Sequence, residues 1–392
     1  MTEDNTRPGR VRAGIAALAL LGTTMVVLLF VFEGVVRVFD LQGDIFLGAN
    51  AYVGWSHDPG RSGTYISAQA KAPVSYNSLG LPGPEISKEK PAGTKRLLLL
   101  GDSFTESEQV PYEESWGARI GQALGSGWQV VNTGVSGYGT GNELLFLREY
   151  GWDFSPDVVF LLFFTGNDVS DNDAGLRAAT GTWIPGPSFS RGEHGLEVGG
   201  VPMFVPPEEG LLKIKRAISR RSRLYQWVRL RVADLRALGQ TSNAASSDGK
   251  ETVPLAWHVY HTPVNGDWER AWDTTDAIFT ALRDECRERG VPLYVGLLPT
   301  GWRIDPDQRA EIEERLPELF HDPSWQLDLP DQRMMTILDS LAVPYVDLAP
   351  LLEARVREGG GPLYGDHLTE EGHEVVARGI LDFLAPAVTS RR

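Results

Sequence analysis

Apolar and polar positions follow one another with a period that changes several times along the chain, and those changes divide it. Residues 13–32 read AGIAALALLGTTMVVLLFVF, twenty positions without a charge. At 1.5 Å per helical residue such a run spans about 30 Å, the thickness of a bilayer hydrocarbon core. Residues 40–93 lose any period and are rich in Gly, Pro, Ser and Asn, as in HDPGRSG and NSLGLPGPE, which predicts an irregular neck with short extended pieces. From Arg96 short apolar runs alternate with amphipathic stretches, the pattern of strands and helices around a parallel sheet. Strands are expected at 97–100, 129–132, 158–164, 293–298 and 344–347, and helices at 116–124, 142–150, 268–289, 308–319, 331–341 and 370–384. Between 171 and 207 periodicity fails; an amphipathic helix follows at 211–238 and a Ser-rich loop at 241–252.

The expected fold is therefore a three-layer α/β/α sandwich around a mostly parallel sheet of about five strands, with an apolar amino-terminal helix and a helical insertion. The division that follows is a tail (1–12), a transmembrane helix (13–36), the neck (37–93) and an α/β domain (94–388) interrupted at 171–255. Arg7, Arg10 and Arg12 precede the apolar run and only Arg37 lies close behind it, so the charge bias keeps the tail cytoplasmic and sends the rest across the membrane. A cleaved signal peptide is disfavoured. Its apolar region is usually about 7–15 residues and ends in small side chains, whereas this run ends Phe30-Val31-Phe32-Glu33. Glu33 and Arg37 stand one helical turn apart and are expected to pair.

Composition sharpens this picture in three places. The 392 residues carry 42% hydrophobic and 23% charged side chains, which excludes wholesale disorder and coiled coil. A net charge of −15 argues against nucleic acid as the main partner, unless one basic face is set apart from a still more acidic remainder. The single cysteine, Cys286, rules out an intramolecular disulfide and a Cys-based zinc cluster, and it falls on the stripe Trp272, Thr275, Phe279, Leu282, Cys286, so it is expected in the core. Charge is unevenly spread. Residues 211–238 hold nine basic side chains against one acid, a net of +8 that leaves −23 for the remainder. Such a helix either rests on anionic lipid head groups or pairs its arginines with the acidic body, the second being the plainer reading.

Four short blocks carry candidate chemistry. Gly101-Asp102-Ser103 follows the first buried strand, where parallel sheets open their sites and backbone N–H groups can stabilise an oxyanion. By itself it also reads as a turn in which Ser103 only caps a helix. Asn132-Thr133-Gly134-Val135-Ser136-Gly137-Tyr138-Gly139 follows the second strand, with glycines that permit close backbone approach; its spacing is not that of a dinucleotide fingerprint. Gly166-Asn167-Asp168 follows the third strand and brings a side-chain amide, or forms an Asx turn. Asp366-His367-Leu368-Thr369-Glu370-Glu371-Gly372-His373 opens the last helix, with His367 toward the sheet edge and His373 structural. Asp168, Asp171, Asn172 and Asp173 lack the order and closing Glu of a calcium loop, so loop solvation is expected and no metal or other cofactor. Trp183, Trp257, Trp268 and Trp302 are either sugar-stacking rings or, more simply, packing.

These four blocks, in this order, resemble the SGNH (GDSL) hydrolases, and the resemblance covers roughly residues 90–385. The apolar run and NSLGLPGPE further resemble membrane-anchored bacterial members associated with cell-surface polysaccharides. The resemblance implies a flavodoxin-like sandwich and an extracytoplasmic serine esterase acting on O-acyl, chiefly O-acetyl, esters of a carbohydrate or small molecule. Ser103 would be the nucleophile and His367 the base. The Ser103 and Gly137 N–H groups and the Asn167 amide would form the oxyanion hole. Family members commonly place an acid two or three residues before the histidine; here Tyr364 and Gly365 stand there, so Asp366 is the expected catalytic acid, with a Ser–His dyad oriented by a backbone carbonyl as the alternative and Asp347 also within reach. An O-acyltransferase with the same residues and a silent glycan-binding protein are the alternatives.

Overall fold

A computed structural model describes residues 7–180, 186–205, 210–241 and 253–389; Trp183 and residues 242–252 of the expected loop lie outside them. The chain forms two compact units, Met1–Ile45 with Pro207–Ala245, and Phe46–Pro206 with Ser246–Arg392.

In the second unit the five expected strands are β1 (Lys95–Gly101), β2 (Trp128–Asn132), β3 (Val158–Phe164), β4 (Leu293–Leu298) and β5 (Tyr345–Asp347). They form one parallel sheet in the order β2-β1-β3-β4-β5. This is the flavodoxin-like order, in which the chain reverses direction across the sheet between β1 and β3 and leaves a crevice at their carboxyl ends. Both faces are covered, which is why the strands read as unbroken apolar runs. Leu98 and Leu100 pack with Leu161, Phe163 and Leu297 under helices Thr140–Glu149, Gly266–Glu288 and Leu329–Leu341. Leu97, Leu99, Phe160 and Leu162 pack on the opposite face under Trp116–Leu124, Ala349–Arg357 and Glu370–Thr389. Each fully buried leucine contributes about 1.5–3 kcal/mol, so the alternation at 97–100 alone is a large part of what holds the layers together. Cys286 is 1% exposed within the first face, as its stripe predicts.

Differences from the expected elements have local causes. Pro317 has no N–H to continue a helix, so the expected 308–319 helix is two, Pro306–Arg315 and Pro317–Phe320. Residues 46–93 carry two antiparallel hairpins, Leu47–Asn50 with Gly54–His57 and Ser62–Ile66 with Lys71–Ser75, and belong to the same compact unit as the sheet. Arg96 fastens part of this segment. Its buried guanidinium donates to the carbonyls of Ser87, Lys88, Glu89 and Phe154 and to Gln129 Oε1.

In the first unit, residues 12–38 of the helix Arg7–Val38 are long and apolar enough to cross a membrane or to serve as a signal sequence. The expected Glu33–Arg37 pair forms at 2.6 Å. The basic stretch is two helices, Gly210–Arg221 and Arg223–Thr241, broken at Ser222. One of its arginines takes the plainer role: Arg223 is buried and ion-paired with Asp44 at 2.7 Å.

Candidate functional site

β1 delivers Ser103 to the crevice. Gly101 ends the strand where any side chain would overlap Thr105, since a Cβ there would lie 2.0 Å from the Thr105 hydroxyl oxygen. Asp102 then accepts the Phe104 N–H at 2.9 Å and starts the single turn Ser103–Glu106, which leaves Ser103 half-buried at its first position. His367 comes from the far end of the chain, in a turn closed by a hydrogen bond from the Gly365 N–H to the His367 carbonyl at 2.7 Å, with its ring against Phe104. Its Nε2 stands 2.8 Å from Ser103 Oγ. Burial lowers the pKa of His367 below the ordinary imidazole value, opposed by the charges of Asp366 and Glu106. A neutral ring is what a base needs. With Nε2 accepting the serine proton, Nδ1 carries the other hydrogen.

That Nδ1 is buried and makes no hydrogen bond. Asp366 Oδ1 is 3.9 Å away, beyond bonding range, and its other oxygen accepts from Tyr65 Oη at 3.4 Å. Asp347 accepts the Ala349 N–H at the start of the helix Ala349–Arg357.

The loop after β2 runs beside β1, with the Thr133 N–H on the Leu99 carbonyl and the Val135 N–H on the Gly101 carbonyl. Gly137 takes a positive φ of 78°, which suits a residue without a side chain. Asn167 follows β3; its amide nitrogen donates to Asp171 Oδ2 at 3.0 Å. Ser103, the glycine loop and Asn167 thus converge on the carboxyl ends of β1, β2 and β3, where His367 reaches them.

The buried acid Glu106, one turn after Ser103, was not legible as a site residue. Its Oε2 accepts both the Ser136 N–H and the Ser136 hydroxyl at 2.5 Å, which pins the residue next to Gly137. Its Oε1 faces His57 Nε2 at 2.5 Å and accepts from the Tyr76 hydroxyl. Trp55 Nε1 donates to the Ser136 carbonyl at 2.9 Å. The spacing in GDSFTE puts Glu106 over the turn of Ser103, but two of its partners, His57 and Tyr76, lie in the neck, where no periodicity announces them. His57 and Ser136 hold the carboxyl of Glu106 below its ordinary value against the effect of burial.

Next to Ser103 lies a group of buried acids. Burial raises Asp102 to about 7 and Asp171 to about 8, and Glu143 and Asp168 go well above the carboxylate range. Burial thus favours the neutral form of Glu143, Asp168 and Asp171 near neutrality. The loop solvation expected for Asp168, Asp171, Asn172 and Asp173 is not found. All four are buried and bonded: Asp168 accepts the Phe164 N–H, Asn172 accepts the Gly141 N–H, and Asp173 caps a helix and pairs with Arg270. Trp268 and Trp302 are buried, and Trp257 packs 5.6 Å from Trp302, so these rings serve packing. His373 is buried, its Nδ1 facing the Trp116 N–H at 3.4 Å, a structural position as expected.

A profile of the GDSL-like lipase/acylhydrolase family matches residues 99–375. The chain belongs to that family. In this GDSL-like acylhydrolase the match starts just before Gly101-Asp102-Ser103 and ends just after His373, so the apolar helix and the neck lie outside it. An arylesterase from Vibrio mimicus is 37% identical over 87 residues, which are 21% of this chain and 40% of that protein; the chain thus matches less than half of that relative's length. The crystal structure of an acetylxylan esterase from Geobacillus stearothermophilus aligns at 15% identity over 74% of this chain and 95% of that one, with a TM-score of 0.38. That of another acetyl xylan esterase aligns at 13% identity over 73% and 98%, with the same TM-score.

Proposed function

We propose that this acylhydrolase is a serine esterase that removes short O-acyl groups, chiefly O-acetyl, from a carbohydrate on the exported side of a membrane to which residues 13–36 anchor it. The observation that carries the reading is the 2.8 Å approach of His367 Nε2 to Ser103 Oγ. Serine is inert until a base takes its proton, and a neutral, half-buried imidazole at hydrogen-bond distance is that base. Ser103 Oγ attacks the acyl carbonyl as its proton passes to Nε2. The carbonyl oxygen takes the negative charge against the Ser103 and Gly137 N–H groups and the Asn167 amide. His367 gives the proton to the leaving alcohol, and water, deprotonated by the same ring, releases the acyl group from Ser103. The arylesterase relative is an ester hydrolase by name, and the arginines ahead of the apolar run favour export of the enzyme domain. The carbohydrate follows from the resemblance of the amino-terminal segments to envelope members of the family.

Fluorophosphonate labelling tests the reading. Wild-type protein takes up the probe and hydrolyses p-nitrophenyl acetate, and Ser103→Ala, which keeps the helix turn, loses both. A folded wild type that is not labelled, or a Ser103→Ala protein that still is, overturns it.

A further inference from the structure

We propose that the helix Gly210–Arg221 lies in the headgroup layer of a membrane containing anionic phospholipid, apolar row inward, at the end of the amino-terminal span. The proposal rests on the anchor reading above and goes beyond it. Leu211, Ile214 and Ile218 recur at i, i+3 and i+7, so they share one face, and they are 84%, 58% and 46% exposed. A row of large apolar side chains left open along a whole helix needs a cover. Lys215 stands exposed beside that row and Lys213 exposed on the opposite face, and Arg220 and Arg221 close the helix. An apolar stripe edged with cations is the makeup of a helix that lies in a lipid interface, and the charges select anionic head groups.

The position of the helix argues for the same occupant. Arg37 donates to the Arg221 carbonyl at 2.5 Å and so takes the carboxyl end of this helix. Glu33 accepts from the Ser222 hydroxyl at 2.7 Å and from the Arg223 and Leu224 N–H groups at 3.1 and 3.0 Å, which starts the next helix. One ion pair on the span therefore holds the joint between the two basic helices. Glu33 is also the first charged residue after the twenty uncharged positions that fill a hydrocarbon core about 30 Å thick, which puts the joint at the membrane boundary. A helix leaving that joint with an uncovered apolar face meets lipid first.

The test uses the full chain in lipid nanodiscs, spin-labelled at Leu211→Cys, Ile214→Cys, Ile218→Cys or Lys213→Cys. Cys286 stays in place because it is 1% exposed and out of reach of the reagent; a Cys286→Ala background repeats the set. Power saturation compares access of oxygen, which favours lipid, with that of a water-soluble nickel chelate. Positions 211, 214 and 218 are expected to favour oxygen and 213 the chelate, with more contrast in phosphatidylglycerol-containing discs than in phosphatidylcholine alone. Equal chelate access at all four positions overturns the proposal, as does dipolar broadening that reveals a second copy on the face, or a contrast indifferent to lipid charge. A label at Ala19→Cys separates the two readings. If it too is open to the chelate, the anchor reading fails and takes this proposal with it; if it is immersed while 211, 214 and 218 are not, this proposal fails alone.

Discussion

Replacing Asp366 with Asn asks how His367 is held. The carboxylate is 3.9 Å from Nδ1 with its side chain 37% exposed, so it acts on the imidazolium through space and not through a hydrogen bond. At that separation two unit charges are worth about 4 kcal/mol at an effective dielectric of 20 and about 1 kcal/mol in bulk water. Exposure puts this pair toward the weaker end, about 1–2 kcal/mol. At about 1.4 kcal/mol per tenfold, Asp366→Asn should lower kcat/KM for p-nitrophenyl acetate roughly five- to thirtyfold. An acid that bonds the ring and fixes its tautomer is worth about 10⁴ instead. The pH profile gives a second reading. The base works neutral, so the rate falls as pH drops through its pKa; burial already sets that acid limb below the ordinary imidazole value, and loss of the carboxylate moves it lower still. A loss near 10⁴, or an acid limb that moves up, would refute a Ser–His pair steadied only electrostatically.

Two further substitutions probe the surroundings. In Glu106→Gln one carboxylate oxygen becomes a donor facing a buried donor, a mismatch of about 1–3 kcal/mol; kcat should fall about tenfold or more with KM little changed, and an unchanged kcat in the folded variant would show that the glycine loop does not depend on this acid. Asp171 has a folded-state pKa of about 8, so between its unfolded value and that pH the native state holds a proton the unfolded chain lacks, and this group makes stability fall as pH rises across that window. Asp171→Asn, which can still accept from Asn167, should flatten that fall in denaturant titrations at successive pH values, and an identical slope in both proteins counts against a protonated group of buried acids.

The sheet was legible because each strand is buried on both faces and so shows as an apolar run between glycines and polar turns; β3 and β4 match their expected bounds. Ser103 and His367 stood out because each sits in a short block at a strand end or helix start, and the fold brings the two within 2.8 Å. What was missed depends on partners far away in the chain. The break at Ser222 interrupts a stretch whose helical period gives no sign of it, since the cap that starts the second helix there is Glu33, 189 residues earlier. Asp366 was a candidate because it is the carboxylate nearest to His367 in sequence, yet a tight turn directs it to Tyr65 instead. Glu106 looked like any polar residue of a short helix, for its partners His57 and Tyr76 occupy a segment with no pattern to read.

The wiring of Glu106 bears on how this protein can be divided. The stretch that matches the family begins at residue 99, whereas two of the groups that compensate the buried carboxylate, His57 and Tyr76, lie upstream of it. A fragment trimmed to the matching stretch would leave the Glu106 carboxylate without these two partners one turn from Ser103, and would lose both the Arg96 guanidinium and the carbonyls at 87–89 that it fastens. The compact unit that holds Ser103 and His367 begins at Phe46, about fifty positions ahead of Gly101-Asp102-Ser103, and what reads as a tether is part of that unit's foundation.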